Sequence, residues 1–162
     1  KNKNIKRKSL IKISEEGAIF RNYLNGDKVY LTPERSIELQ RHFGADLIFV
    51  LDECTPFNVS KKYTENSMYL SHRWAKRCSD AFKTKYSKFD PQSGSSGRQY
   101  LYGIIQGGVY DDLRKIACEE TCSGDYNGLA IGGSLGGSKE QMHDIFSFCS
   151  DLIDKSKPVH VL

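Results

Sequence analysis

Short stretches of alternating apolar and polar residues open the chain and give way after residue 31 to longer apolar blocks. The alternation over Leu10–Leu31, with an Asn-Gly-Asp turn at 25–27, is typical of a β-hairpin. Thr32, Pro33 and Gly44 then stand where a helix N-cap, its first residue and its C-cap are expected. The N-terminal part of the chain is therefore predicted to be a hairpin followed by a helix.

Apolar runs alternate with amphipathic segments in the rest of the chain. The predicted strands are Leu47–Leu51, which reads as buried on both faces, Tyr100–Ile105, Leu129–Ile131 and Val159–Leu162. Helices are predicted at about Ser60–Phe82, at about Tyr110–Cys122 and after a capping box of Ser138 and Gln141, with a polar surface loop over Lys83–Arg98. The residues predicted to be buried on these helices are Tyr63, Leu70, Trp74, Cys78, Ala81, Leu113, Ile116, Ala117, Met142, Ile145, Cys149 and Leu152.

Regular alternation of strand and helix indicates a parallel sheet with crossover helices. A complete (β/α)8 barrel needs about 250 residues, so four strands in a chain of 162 residues correspond to about half of one. We predict an α/β fold, a partial TIM (β/α)8 barrel with an N-terminal hairpin, in one domain over residues 1–162. The chain begins Lys-Asn-Lys-Asn and closes on a strand, so we expect the central piece of a longer barrel. A small flavodoxin-like sheet is the alternative.

The composition excludes few classes of protein. The chain has 24 Lys and Arg against 20 Asp and Glu, and this net charge of +4 permits a nucleic-acid partner without requiring one. No stretch approaches the roughly 20 apolar residues of a membrane span. Five cysteines without a secretory signal favour free thiols in the cytoplasm. Cys118 and Cys122 lie four residues apart but lack further ligands, so no metal site is expected from this chain. The basic stretch Lys1–Lys8 is either a solvated terminus or a phosphate-contacting arm.

Polar residues and glycines follow the predicted strands, at the edge where parallel α/β proteins place their reacting groups. Asp52 follows the first strand, Gln106 the second and Gly132-Gly133 the third. A carboxylate can accept from the N1–H and amino group of a guanine-like edge, and a carboxamide and a main-chain N–H can donate to its O6. The glycines lack the spacing of a phosphate loop, and no nucleophile is paired with a histidine base. The set therefore indicates a purine-like base as ligand.

Four blocks of the sequence resemble the tRNA-guanine transglycosylases, or queuine tRNA-ribosyltransferases, in order and spacing. The blocks are Phe49–Pro56, Ser71–Arg77, Gly103–Arg114 and Ile131–Gly133. The resemblance implies a β/α barrel with a zinc-bearing insertion. It also implies exchange of guanine at the wobble position of GUN anticodons for a 7-deazaguanine, preQ1 or queuine, through a covalent Asp–ribose intermediate. The implied partners are tRNA and the free base, the implied cofactor is zinc, and the implied assembly is a homodimer.

Roles in base recognition also follow from the resemblance. Asp52 would read the N1 and amino edge of the base, and Cys54 would line the same pocket. Gln106 and Gly133 would donate to the carbonyl oxygen of the base. The Asp-Glu-Cys form of the first block is typical of bacterial members.

Three further residues belong to the implied pocket. Ser134 would offer its main-chain carbonyl toward the 7-substituent, and Leu162 would cover one face of the base. Gly136 stands where bacterial members usually have valine. We hypothesise that the missing side chain leaves room for the bulky substituent of queuine.

The resemblance assigns no catalytic residue to this chain. The family's nucleophilic Asp and its Cys-x-Cys-x-x-Cys…His zinc set are expected downstream of Leu162, and a Ser-Asp-Ser-Gly-Gly-Phe-Gln block upstream of Lys1. The isolated chain is therefore expected to carry base recognition without catalysis. An archaeal-type relative and a non-catalytic partner subunit remain the alternatives.

Other polar residues of the predicted helices are expected to be solvated. They are His72, His143 and a basic helix face made of Arg73, Lys76 and Arg77. Contact of that face with tRNA phosphates is the alternative.

Overall fold

The computed structural model describes residues 10–86 and 99–162 of the chain. Within these residues, a small antiparallel sheet comes first and a parallel sheet with helices follows. The strands are β1 (Lys12–Ser14), β2 (Gly17–Arg21), β3 (Lys28–Leu31), β4 (Leu47–Phe49), β5 (Tyr100–Ile105), β6 (Gly128–Ile131) and β7 (Val159–Val161). The helices are α1 (Pro33–Phe43), α2 (Lys61–Tyr86), α3 (Asp111–Ser123) and α4 (Lys139–Leu152).

The antiparallel sheet has the strand order β1-β2-β3. β2 and β3 form a hairpin in which Ile19 lies opposite Tyr30. Gly26 has a φ of 75°, and its N–H donates to the carbonyl of Asn22 over 2.8 Å. The predicted hairpin and its turn are thus confirmed, and β1 adds a third strand to them.

Helix α1 begins and ends at the predicted residues. The Thr32 hydroxyl accepts from the N–H of Arg35 over 3.2 Å, Pro33 is the first helical residue, and Gly44 closes the helix with a φ of 71°. Ile37 on this helix is fully buried in the apolar cluster that joins α1, α2, β4 and β5. The helix therefore fixes α2 against the first strands of the parallel sheet.

The parallel sheet has the strand order β4-β5-β6-β7, so neighbours in sequence are neighbours in space. The sheet curls strongly, because the rings of Phe49 on β4 and His160 on β7 lie 5.3 Å apart although two strands separate them at about 4.8 Å per strand. Sequential order and curl confirm the predicted partial (β/α)8 barrel. The flavodoxin-like alternative, with order 2-1-3-4-5, is wrong for the described strands.

Two apolar clusters hold the helices on the sheet. The first joins β4, β5 and β6 to α1 and α2, and it contains Ile37, Ile48, Val50, Ala75, Cys78, Leu101, Ile104 and Ala130. The second joins β5 and β6 to α2, α3 and α4, and it contains Met68, Ile105, Leu113, Ala117, Cys118, Leu129, Ile131, Ile145 and Cys149. All five cysteines are free thiols, as predicted.

Some predicted core positions are wrong. Tyr63, Ile116 and Leu152 are 46%, 36% and 39% exposed, so they lie at the margin of helix faces whose other predicted residues, such as Trp74 and Cys149, are buried. On α3, for example, Arg114 lies inside where Ile116 was expected. Leu47 is 45% exposed, since β4 has a hydrogen-bonded neighbour on one side only among the described strands.

Some predicted boundaries also need correction. The strand predicted to reach Leu51 ends at Phe49, and α2 continues to Tyr86, into the predicted loop. Residues 87–98 of that loop, and the basic stretch 1–8, lie outside the described residues. At the start of α4 the Ser138 hydroxyl accepts from the N–H of Gln141, but the Gln141 side chain returns to the N–H of Gly137 instead. Only half of the predicted capping box is therefore formed.

Candidate functional site

The predicted polar residues meet at the carboxyl ends of the parallel strands. Asp52 lies three residues after β4, on a segment whose Val50 N–H still donates to Tyr102 of β5 over 3.1 Å. Gln106 follows β5 directly, and the glycines at 132 and 133 follow β6 directly. The sheet thus brings residues that are far apart in sequence to one edge, as sequence analysis predicted.

Asp52 and Gln106 are in direct contact, since the Gln106 carboxamide nitrogen donates to a carboxylate oxygen of Asp52. Gln106 is 3% exposed, which is rare for a carboxamide without a role in binding or structure. Burial raises the pKa of Asp52 from its ordinary value of 3.8 to about 6. The carboxylate is therefore mostly ionised at neutral pH and becomes protonated in mild acid.

Gly133 lies against the other end of the Gln106 carboxamide. A Cβ at position 133 would collide with Gln106 Oε1, and the residue has a φ of 74°. Only glycine combines this close approach with this backbone conformation at low cost. The amide of Gly133 is thus kept beside Gln106.

Leu162 is the residue from the fourth strand that reaches this group. A Cβ at Gly132 would lie 2.9 Å from Leu162 Cδ1 and 3.8 Å from Gln106 Nε2. The Leu162 side chain therefore lies next to Gly132, at the edge of the Asp52–Gln106 pair. Its own exposure of 52% leaves apolar surface available on that side.

The loop that carries Asp52 and Cys54 is fastened to α2 through Glu53. The Glu53 N–H donates to Ser71 Oγ over 3.0 Å, and Ser67 Oγ donates to the Glu53 carbonyl over 3.1 Å. The hydroxyl of Tyr63 donates to the Glu53 carboxylate over 2.6 Å. Tyr63, predicted as a core anchor, is thus an exposed tether of this loop.

Cys54 sits near the pair but is exposed as a whole. Partial burial raises the pKa of its thiol, and the negative charge of Asp52 raises it further. The thiol is therefore protonated at neutral pH, and it is a poor nucleophile in this arrangement.

Ser134 and Gly136 differ in their relation to this group. The Ser134 carbonyl accepts from Arg114 Nη2 over 3.0 Å. Gly136 has a φ of 95°, and the three heavy atoms nearest to a Cβ there all belong to Gln141. A side chain at 136 would therefore enter the space of Gln141, so the hypothesis that Gly136 makes room for a base substituent gains no support from this geometry.

Arg114 is the residue of this edge that the sequence reading gave no role. It is 1% exposed, and its guanidinium donates to main-chain carbonyls at the end of β5 and in the loops after β5 and β6. Its spacing could have indicated its burial, because it shares a helix face with Ala117, Cys118 and Thr121, all of which are buried. A charged residue on a buried face is the kind of exception that points to a structural or functional role.

The basic face of α2 is paired with acidic residues rather than free. Arg73 binds Glu15 through two hydrogen bonds of 2.8 Å, and Lys76 binds Asp80 over 3.1 Å. The Arg77 guanidinium forms two hydrogen bonds, of 2.7 and 2.8 Å, with Glu34. Arg73 and Lys76 are thus exposed, as expected of a solvated face, although they are ion-paired. Contact of this face with tRNA phosphates stays a prediction.

The two helix histidines also differ from each other. His143 is exposed, as predicted. His72 is not solvated: its Nε2 is buried without a hydrogen-bond partner within the described residues, and burial lowers the pKa of the ring. It lines a cavity of about 250 Å³ between α2 and α3, to which none of the predicted site residues contributes.

No cluster of three or more His, Cys, Asp or Glu side chains suited to a metal occurs among residues 10–86 and 99–162. No helix in the described part of the chain has the length and apolar character needed to cross a bilayer.

Fold and site together define a partial β/α barrel with a buried carboxylate–carboxamide pair at the carboxyl edge of its sheet. The family model for queuine tRNA-ribosyltransferase matches residues 4–162, nearly the whole chain. The chain belongs to this family.

Curated relatives agree with this assignment. The queuine tRNA-ribosyltransferases of Actinobacillus pleuropneumoniae serotype 5b and Pasteurella multocida are each 40% identical to the chain over 154 residues. That of Haemophilus influenzae strain PittEE is 39% identical over the same length. The matches cover 94% of this chain but only 37–38% of each relative, so the chain spans less than half of their length.

Proposed function

We propose that the full-length protein exchanges guanine at the wobble position of tRNAs with GUN anticodons for a 7-deazaguanine, preQ1 or queuine. The observation that carries this proposal is the contact between Asp52 and Gln106, with Gly133 against the same carboxamide. Three strand ends supply these three groups, and family membership supplies the reaction class.

The donor and acceptor pattern of this edge fits guanine and its 7-deaza analogues. An ionised Asp52 is acceptor-only, which suits the N1–H and the exocyclic amino group of such a base. Gln106 uses one amide N–H on Asp52 and keeps a second, which together with the N–H of Gly133 suits the carbonyl oxygen O6. Adenine presents a donor in place of O6, so the same groups would reject it.

The proposed bond-breaking step uses a nucleophile that the family resemblance places outside this chain. In the proposed reaction a carboxylate from a downstream segment attacks C1′ of the ribose, and guanine leaves as the covalent Asp–ribose ester forms. The incoming base then attacks the same carbon and releases the carboxylate. Asp52 and Gln106 hold whichever base occupies the pocket, and Leu162 covers one face of it.

Further properties of the full-length protein belong to the same proposal. Zinc would be held by downstream ligands, and the active assembly would be a homodimer. The free thiols of the described residues and a tRNA substrate fit an enzyme that works in the cytoplasm. The isolated chain would bind a base without exchanging it.

A base-exchange assay on the full-length protein tests the proposal. Labelled guanine, preQ1 and queuine are supplied with unmodified GUN-anticodon tRNA. We expect exchange by the parent and a loss of at least about a hundredfold in kcat/KM for Asp52→Asn, because two charge-assisted hydrogen bonds to the base are weakened. Competition among the three bases identifies the preferred substrate.

Asp144→Asn is the matched control, since Asp144 is exposed on α4, away from the site. It should stay within about twofold of the parent, as surface substitutions usually do. Equal activity of Asp52→Asn and the parent would contradict the base-recognition role. No exchange by the parent with any base would overturn the activity itself and favour the non-catalytic partner subunit.

A further inference from the structure

Arg114 lies behind the loops that carry Gln106 and Gly133. The residue lies in the first turns of α3, directly after the loop that follows β5. Its side chain is 1% exposed. Gly107 makes this position possible, because a Cβ there would lie 2.7 Å from the Arg114 main-chain nitrogen. The start of α3 is therefore pressed against the loop that follows Gln106.

The guanidinium connects the ends of two strands. Its Nε donates to the Gly108 carbonyl over 2.7 Å, and its Nη1 donates to the carbonyls of Ile105 and Gly132 over 3.1 and 2.8 Å. Its Nη2 donates to the Ser134 carbonyl over 3.0 Å. Two of these acceptors follow or end β5, and two follow β6.

Each of these four hydrogen bonds ends on a main-chain carbonyl, so the charge is compensated by dipoles. A buried charge compensated in this way is costly, and here burial lowers the pKa of the guanidinium. An apolar residue would fill the same space without that cost. Unlike an apolar side chain, a guanidinium is a rigid planar donor that can hold several acceptors in fixed positions.

The positions that are held are those that carry base recognition. The Ile105 carbonyl precedes Gln106, and the carbonyls of Gly132 and Ser134 lie on the two sides of Gly133. Gly133 itself lies against the Gln106 side chain. One side chain therefore fixes the backbone of both groups that are expected to donate to the base oxygen.

We propose that Arg114 is a positioning residue for base binding: it holds the Gln106 and Gly133 loops at the spacing that the base requires, without touching the base. This inference rests on the proposed function, because it takes these loops to be the base site. The Ser134 carbonyl is held by the same group, so its direction also depends on Arg114.

The test uses the full-length protein with two variants of Arg114. Arg114→Met keeps an unbranched apolar stem without donors, and Arg114→Lys keeps the charge without the planar fork. We expect both to raise the KM for the free base about tenfold or more, as lost charge-assisted hydrogen bonds predict, with a smaller change in kcat at saturating base. Arg35→Met, which removes an exposed arginine of α1, is the matched control and should leave both constants unchanged.

Circular dichroism and thermal unfolding show whether each variant is folded. A folded variant whose base KM equals that of the parent would overturn the inference. Loss of the folded state in both variants would also overturn it, since Arg114 would then serve stability alone. If the parent itself exchanges no base on tRNA, the proposed function fails instead, and the two failures are thus distinguishable.

Discussion

Two arginines show how differently charge is used in two regions of this molecule. At the carboxyl edge of the parallel sheet, Arg114 is fully buried and hydrogen-bonds four carbonyls. At the junction of α1, α2 and the antiparallel sheet, Arg77 is partly exposed and pairs with the carboxylate of Glu34. Arg77 also donates to the carbonyls of Glu15 and Glu16 over 2.8 and 3.4 Å.

The difference lies in what each arginine holds. The Arg77 pair joins two helices and a strand turn through flexible side chains, so water can replace part of its contribution to stability. Arg114 holds main-chain atoms beside a buried carboxamide, where water cannot substitute without rearrangement of the loops. We therefore expect substitutions at the carboxyl edge to change base binding, and substitutions at the helix junction to change stability alone.

The largest expected loss of stability follows Gly133→Ala. The new Cβ would collide with Gln106 Oε1, and the backbone is left-handed with a φ of 74°. We expect the free energy of unfolding to fall by about 1–2 kcal/mol because alanine disfavours this backbone conformation, and to fall further because Gln106 is displaced. The base KM should rise about tenfold or more, because both donors to the base oxygen move. Urea unfolding and the exchange assay measure the two effects.

Gly26→Ala is a close control for this variant. Gly26 has nearly the same φ, 75°, but a Cβ there would meet no atom within 4 Å. The control should show the backbone loss alone, with the base KM unchanged. Equal losses of stability in the two variants, together with an unchanged base KM, would refute the contact between Gly133 and Gln106.

A second prediction concerns the acidity of Asp52. Burial raises its pKa from 3.8 to about 6, so protonation removes an acceptor for the base as the pH falls below about 6. The base KM of the parent should therefore rise in that range.

The raised pKa of Asp52 also affects stability: because it is higher in the folded state, the ionised form destabilises the fold above pH 3.8. Asp52→Asn should then stabilise the protein at pH 8, by no more than about 3 kcal/mol.

The pH dependence of this gain separates charge from packing. The stabilisation by Asp52→Asn should shrink as the pH falls through about 6 and vanish below 3.8, where both side chains are neutral. A gain that is constant between pH 4 and pH 8 would show that the carboxylate is not buried as described.

The residues at the carboxyl edge of the sheet could be predicted from the sequence, because the hydrophobic pattern locates the strands and these residues follow them directly. Apolar runs located the strands, and the rule that parallel strands present their carboxyl ends to one edge brought Asp52, Gln106 and Gly133 together. The caps of α1 were equally readable, because Thr32 and Gly44 act through local geometry.

What the sequence left open depends on contacts between distant segments. Tyr63 looked like a core residue, but its partner Glu53 lies on the loop after β4. The ion pairs of the α2 arginines could not be predicted, because their partners lie on α1 and in the turn before β2. Arg114 could have been suspected from its helical spacing, whereas its four acceptors are set only by the packing of α3 on the sheet.

The smallest expected effect follows Glu34→Gln at the helix junction. The hydrogen bonds from Arg77 lower the pKa of Glu34 from 4.5 to about 2, so the pair stabilises the fold above pH 4.5 and is lost as the pH falls towards 2. Because the Glu34 side chain is 40% exposed, we expect the free energy of unfolding to fall by only about 1 kcal/mol at pH 7.

Glu38→Gln, which breaks an exposed pair on α1, is the control and should lower the free energy of unfolding by less than about 0.5 kcal/mol. Thermal unfolding between pH 2 and pH 7 measures both. A change in base KM in either variant would contradict the separation of the two regions, since neither pair contacts the strand ends that carry the site.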